Sequence, residues 1–114
     1  MENESTRQQK VARQVQKDLA EIIRGRGMQA YDGALVTVSG VKITPDLALA
    51  KVYVSIFPSA KAGGVMHKLE EENSRLRGAL GRRVAKQLRI VPELVFYLDD
   101  SLDYVEHIDE LLKK

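Results

Sequence analysis

The 114-residue sequence predicts an α+β fold in which helices cover one face of a three-stranded mixed sheet. Three observations predict it. Apolar residues recur at helical spacing over 5–25, about 60–89 and 102–113. Runs rich in β-branched and apolar residues stand at 34–43, 47–57 and 93–98. The resulting order is helix–strand–strand–helix–helix–strand–helix. A short turn between the first two strands makes them an antiparallel hairpin, and a helical crossover to the third makes that pair parallel, with a right-handed connection. The helices then gather as one layer on the sheet.

In the first helix, Val11, Val15, Leu19, Ile22 and Ile23 share one face, and Lys10, Arg13, Lys17 and Arg24 share the opposite one. Ser5 or Thr6 is placed to cap it, and Gly25 and Gly27 to stop it. In strand one (34–43), Gly40 marks a bulge or a close approach. Thr44-Pro45-Asp46 is turn chemistry. Strand two (47–57) is apolar on both sides, which places it centrally rather than at an edge. Tyr53, Phe57, Phe96 and Tyr97 lie in strands and are expected mostly in the core. Pro58 ends strand two. The helical stretch that follows divides into helices at about 60–72 and 75–89, with a break or kink near 73–78, because Asn73-Ser74 is weak helix material and Gly78 and Gly81 are poor helix formers. Pro92 closes the region, 93–98 is strand three, and Asp99-Asp100-Ser101 supplies caps for a last helix over 102–113.

Composition narrows the function classes. There is no Cys, so disulfides, thiolate metal sites and thiol nucleophiles are excluded. No apolar run reaches the roughly 18–20 residues of a membrane span, and the polar N-terminus does not read as a secretory signal; a cytoplasmic protein is expected. The net charge of +2 conceals a division. Residues 1–91 hold 16 basic and 9 acidic side chains (+7), whereas 92–114 hold 2 and 7 (−5). Such a division points to a polyanionic partner or to self-complementary packing.

The strongest local signal is residues 75–89, which hold Arg75, Arg77, Arg82, Arg83, Lys86 and Arg89 and no acid. Arg75, Arg82, Lys86 and Arg89 share one face, opposite Leu76, Leu80, Val84 and Leu88. Phosphate recognition needs several Lys and Arg on one surface, because each neutralised phosphate releases counterions, and the Arg fork grips phosphate oxygens in two places. A merely solvated face normally mixes both signs, so this one favours nucleic acid. The face carrying Lys10, Arg13 and Lys17 is interspersed with Asp18 and Glu21 and reads equally as solvated or binding; if both faces meet on one side, they form one patch. Gly78-Ala79-Leu80-Gly81 spells GxxG, either a loop that brings backbone to phosphate or two glycines at a kink.

Catalytic constellations are absent from the pattern. His67 and His107 lie in different helices; Asp99, Asp100 and Asp103 are explained by capping; and phosphate-loop, EF-hand and nucleophile-elbow spacings are missing. No catalytic residue, metal ligand or cofactor is expected, and a hydrolase is poorly supported. Low aromatic content argues against base stacking on the sheet face. The alternative from another class is a protein-interaction module that docks a basic partner protein through the acidic 93–110 segment.

Three stretches carry a resemblance. They are Arg7-Gln8-Gln9-Lys10-Val11-Ala12 with Leu19-Ala20-Glu21-Ile22-Ile23; Val38-Ser39-Gly40-Val41 with Asp46-Leu47-Ala48 and Ala50-Lys51-Val52-Tyr53-Val54; and Leu88-Arg89-Ile90-Val91-Pro92-Glu93-Leu94 with Phe96 and Asp99-Asp100-Ser101. From Arg7 to about Tyr104 the chain resembles the bacterial ribosome-binding factor A family. The resemblance implies a type II KH-like fold: a single RNA-binding domain over 1–114, with its core at about 5–100 and a C-terminal helix at 102–113. It implies binding to the free 30S subunit or its precursor, with 16S rRNA as partner and ribosomal proteins and assembly GTPases as candidate further partners; a monomer is expected. It also implies a non-enzymatic role in late 16S rRNA folding, 5′-end processing and growth in the cold. In that family an Ala-x-Gly kink replaces the GxxG loop. Ala79-Leu80-Gly81 matches the letters, whereas counting back through Leu80-Gly81 puts the kink at Glu72-Asn73-Ser74. The long polar C-terminal tail of some members is not matched.

Overall fold

The computed structural model describes residues 5–88 and 90–99. The expected last helix at 102–113, with Asp100, Asp103 and His107, lies outside them, as does Arg89. The described elements are α1 (Thr6–Arg26), β1 (Leu35–Ile43), β2 (Leu49–Phe57), α2 (Ala62–Glu71), α3 (Asn73–Val84) and β3 (Glu93–Leu98), with short 3-10 turns at Met28–Tyr31 and Ser59–Lys61.

α1 begins with a reciprocal cap. The Ser5 hydroxyl accepts from the Gln8 amide (3.1 Å), and the Ser5 amide donates to Gln8 Oε1 (2.9 Å). Two otherwise orphaned donors are thereby satisfied. Gln8 Nε2 also donates to the Ile43 carbonyl (2.9 Å), which pins the start of α1 to the end of β1. The helix stops at Gly27, whose φ of +82° suits a residue without Cβ; Gly25 stays inside it.

The sheet order is β1-β2-β3, with β1 antiparallel and β3 parallel to the central β2, so strand two is central as its two-sided apolar pattern predicts. The bulge falls at Ser39, beside Gly40, where the register shifts; the Ser39 hydroxyl donates to the Tyr53 carbonyl (3.1 Å) across it. The hairpin turn is rigid. Thr44 Oγ1 donates to Asp46 Oδ1 (2.6 Å), as does the Ala48 amide (3.1 Å), and the Leu47 amide closes on the Thr44 carbonyl (2.8 Å). These bonds, the Thr44 one first, hold the Asp46 carboxyl below its usual range. Leu47 sits in the left-handed region (φ +62°), so β2 starts at Leu49, two residues later than its apolar run predicts.

The break between α2 and α3 is at Glu72 (φ −93°, ψ 8°), earlier than the interval 73–78 and within the alternative placement at Glu72-Asn73-Ser74. Arg26 Nη1 ion-pairs with Glu72 Oε1 (2.6 Å), and Asn73 Nδ2 donates to the Leu94 carbonyl of β3 (2.8 Å). Two neighbouring elements, α1 through the Arg26 side chain and β3 through the Leu94 carbonyl, therefore fix the joint. α3 ends at Val84 rather than Leu88 or beyond, because the chain turns there: the amides of Gln87 and Leu88 both close on the Val84 carbonyl on the way to Pro92 and β3.

The core lies between the helices and one sheet face. Val15, Leu19, Val52, Val54, Val65, Leu69, Leu76, Leu80 and Val84 are fully buried in it. The strand aromatics depart from expectation. Only Phe96 is buried; Tyr53 is half-buried, and Phe57 and Tyr97 are exposed. Strand alternation explains it, since 51, 53, 95 and 97 point to the face that no described helix covers. There Tyr53 and Tyr97, paired in register, stack with centroids 5.4 Å apart, beside Lys51 and Lys42. Tyr31 joins the core instead, its phenol pushed up by burial against the pull of nearby Arg26.

Candidate nucleic-acid interface

α1 and α3 run side by side in opposite directions. Glu72, at the start of α3, meets Arg26 at the end of α1; Arg83, near the end of α3, reaches Glu21 Oε1 (2.8 Å) and Asp18 Oδ1 (3.4 Å). Both helices bury their apolar stripes (Val11, Val15, Leu19, Ile23; Leu76, Leu80, Val84) on the same sheet. The opposite stripe of each therefore points outward on the same side of the molecule.

The cations divide into two groups. Arg77 and Arg83, expected in the RNA-facing set, hold the fold together. Arg77 donates to the carbonyls of Val91 (2.8 Å) and Pro92 (3.2 Å), fixing the segment that leads into β3. Arg83 compensates the buried Asp18 carboxylate, which also accepts from Gln14 Nε2 (2.6 Å). A guanidinium reaches the nearest acceptors its length allows, and at helical spacing 77 and 83 flank the buried stripe while 75 and 82 oppose it; Lys86 follows in the turn after α3. Arg75, Arg82 and Lys86 are exposed, as are Lys10, Arg13 and Lys17 with Arg7 and Arg24 on α1, and none of these has an ion-pair partner among the described residues. Asp18 and Glu21, the acids that made the α1 face ambiguous, are taken up by Arg83. The two stripes form one outward layer of uncompensated positive charge. Arg7 belongs to it although it stands outside the set picked from the sequence; the available signal was a cation, and no acid, in the first turn of a helix.

Arg83→Ala is expected to lower stability by about 2 kcal/mol, because Asp18 would remain buried without its cation; Arg83 is 41% exposed, so screening keeps the loss below that of a fully buried pair. Denaturant unfolding checks this, and Asp18→Asn in the Arg83→Ala background should recover most of the loss.

The glycines are not a loop. Gly78 and Gly81 both lie inside α3, so the GxxG letters fall on helix interior; the break is at Glu72, with Asn73 and Ser74 opening α3 beyond it. A Cβ at Gly81 would meet Val91 Cγ2 at 3.3 Å, a close helix-to-linker contact, whereas one at Gly78 would meet only Arg82 Nη1 at 3.9 Å. Gly78→Ala should therefore raise stability by about 0.5–1 kcal/mol and leave RNA binding unchanged. A thermal melt with an RNA titration checks both; weakened binding would return Gly78 to the interface. Asn73, Ser74, Arg77, Gly78 and Gly81 together line a shallow cavity of about 600 Å³ against the start of β3.

His67 is exposed and, among the described residues, pairs only with Glu71 (2.6 Å). Among the described residues there is no cluster of three or more metal-ligating side chains, and no helix is long and apolar enough to cross a membrane.

A helix–strand–strand–helix–helix–strand order with this mixed sheet and a helical break where a glycine loop would stand defines a KH-like α+β protein. Residues 7–112 match the family described as ribosome-binding factor A. A relative so named from Cytophaga hutchinsonii is 39% identical over 111 residues, covering 97% of this chain and 84% of that one. One from Flavobacterium johnsoniae is 42% identical over 110 residues, covering 96% and 85%. The crystal structure of ribosome-binding factor A from Thermus thermophilus is similar at a TM-score of 0.68 and 30% identity, over 80% of this chain and 94% of that one. A homology model of the Thermus thermophilus protein, fitted into the cryo-EM map of its complex with the 30S subunit, is similar at 0.64 and 31%, over 77% and 90%. The chain belongs to the ribosome-binding factor A family.

Proposed function

We propose that the chain is a cytoplasmic, monomeric assembly factor, acting as one RNA-binding domain. It binds the free 30S subunit or its precursor through 16S rRNA and performs no chemistry of its own. The observation that carries this reading is the outward layer of Arg7, Lys10, Arg13, Lys17, Arg24, Arg75, Arg82 and Lys86, with the acids between them already compensated. Such a surface suits a phosphate backbone, where each contact releases counterions. The family relatives and the 30S complex of the Thermus protein support the same partner.

Binding can assist folding only if the factor holds one rRNA conformation more tightly than its competitors; the population then shifts towards that conformation. We infer that the favoured state is one on the way to the mature 5′ region of 16S rRNA, which links binding to late folding, to 5′-end processing and to growth in the cold, where misfolded RNA escapes slowly. Ribosomal proteins and assembly GTPases are its candidate neighbours on the subunit. The test is a gradient profile at rising salt. The protein should travel with free 30S subunits rather than complete ribosomes and dissociate steeply with salt. Co-migration with complete ribosomes only, or binding that salt leaves unchanged, would defeat the proposal.

A further inference from the structure

One cavity lies at the end of the cation layer, away from the helix break. It has a volume of about 610 Å³ and opens where the first turns of α1, the hairpin turn and the segment between α3 and β3 converge. Arg7 and Lys10 stand at it, both exposed and without an ion-pair partner among the described residues. Val11, Leu47, Leu88, Ile90 and Pro92 give it apolar surface. Ile90 is 70% exposed there, a large apolar side chain left open to solvent. Gln87 supplies an exposed amide that can both donate and accept.

We propose that this cavity takes one unstacked nucleotide of single-stranded RNA, with the base among Leu47, Leu88 and Pro92 and its phosphates on Arg7 and Lys10. Four features favour this occupant. The volume falls in the range of small-ligand sites, about 300–1,000 Å³. The site combines apolar surface with two free cations, as a nucleotide combines a flat base with a charged backbone; its one acid, Asp46, is engaged by the Thr44 hydroxyl and the Ala48 amide. Its cationic edge is continuous with the outward layer through Lys10 and, next to Gln87, Lys86, so a strand bound along α1 and α3 runs into it. Finally, its hairpin wall is preformed: the Thr44–Asp46–Ala48 hydrogen bonds lock the turn, and Leu47 is held at φ +62° where a leucine rarely sits. A paired base cannot enter such a cavity, and sequence-dependent RNA recognition commonly splays single bases into protein sites of this kind.

This inference rests on the RNA-binding reading above, and the experiment separates the two. Leu47→Gly and Leu47→Asn both tolerate the left-handed backbone while removing the apolar wall. Each is compared with wild type, after a melt confirms folding, against a 12-nucleotide single-stranded RNA and a duplex of the same length. The set is repeated with the single strand made abasic at one position at a time. Both variants should weaken single-strand binding five- to tenfold and leave duplex binding unchanged. One abasic position should weaken wild type by a similar factor and have no further effect on the variants. Equal binding of the single strand by variants and wild type, or an abasic penalty that persists in the variants, overturns the cavity while leaving the cation layer intact. Failure of wild type to bind either RNA overturns both readings.

Discussion

Replacing Arg75, Arg82 and Lys86 together by glutamate is expected to abolish association with free 30S subunits while leaving the fold intact. The three side chains are exposed and make no hydrogen bond or ion pair with the described residues, so each change should alter stability by no more than about 0.5 kcal/mol. Their effect on RNA binding is of another order, because three attractive contacts become three repulsive ones. The milder triple neutralisation to glutamine gives a graded measure. If each side chain neutralises one phosphate, the salt dependence of log K should become shallower by about 0.9 per contact on duplex RNA-like backbone, or roughly 2.7 in all. Titrations between low and moderate salt read that slope. A control separates position from net charge: reversing Lys42 and Lys51, which sit side by side on the open sheet face, should leave most of the binding in place. Equal losses from the two faces would mean that the chain binds by charge alone and has no interface on α1 and α3.

The largest effect on stability is expected from Leu80→Ala, a loss of about 3 kcal/mol. Leu80 is fully buried beneath α3, and the surroundings cannot close over the space it would leave. On one side Arg77 ties α3 to the Val91 and Pro92 carbonyls; on the other Arg83 ties it to α1. The helix backbone is thus held at a fixed height above the sheet. Against a total stability of roughly 5–15 kcal/mol this is a large fraction. The urea midpoint should fall with little change in slope, since the surface exposed on unfolding is nearly the same. Leu80→Met, which conserves volume, should lose less than about 1.5 kcal/mol. Similar losses for the two variants would show that α3 settles inward after all.

Much of the architecture is legible in the chain because local patterns and global topology agree. A cap at Ser5 or Thr6, an irregularity at Gly40, the two-sided apolar β2 and Pro92 before β3 are each marked by their own residues. What escapes is decided by partners distant in sequence. Nothing near Arg83 in the chain tells that Asp18 and Glu21 will lie opposite it, and nothing near Arg77 tells that two carbonyls beyond position 90 need a donor. The cations of 75–89 therefore look alike in the sequence until packing sets Arg77 and Arg83 apart from Arg75, Arg82 and Lys86. The helix break is displaced for the same reason. Weak helix formers at 73 and 74 suggest an interruption, but Arg26 and Leu94, distant in sequence, determine that it falls at Glu72. The left-handed Leu47 has no local signal either, as leucine is a residue that sequence reasoning places in strands and helices. The same packing corrected the aromatics: β2 and β3 look core-forming on both sides, and only the position of the helices shows which side is covered.

The joint between α2 and α3 has a thermodynamic consequence. A glycine loop that grips RNA must first surrender its backbone freedom, about 1–2 kcal/mol for each residue it orders, before any contact contributes. Here the ordering is already complete, because Asn73 is bonded to β3 and Glu72 to α1 before any ligand arrives. Association at this rim would therefore begin without that ordering cost.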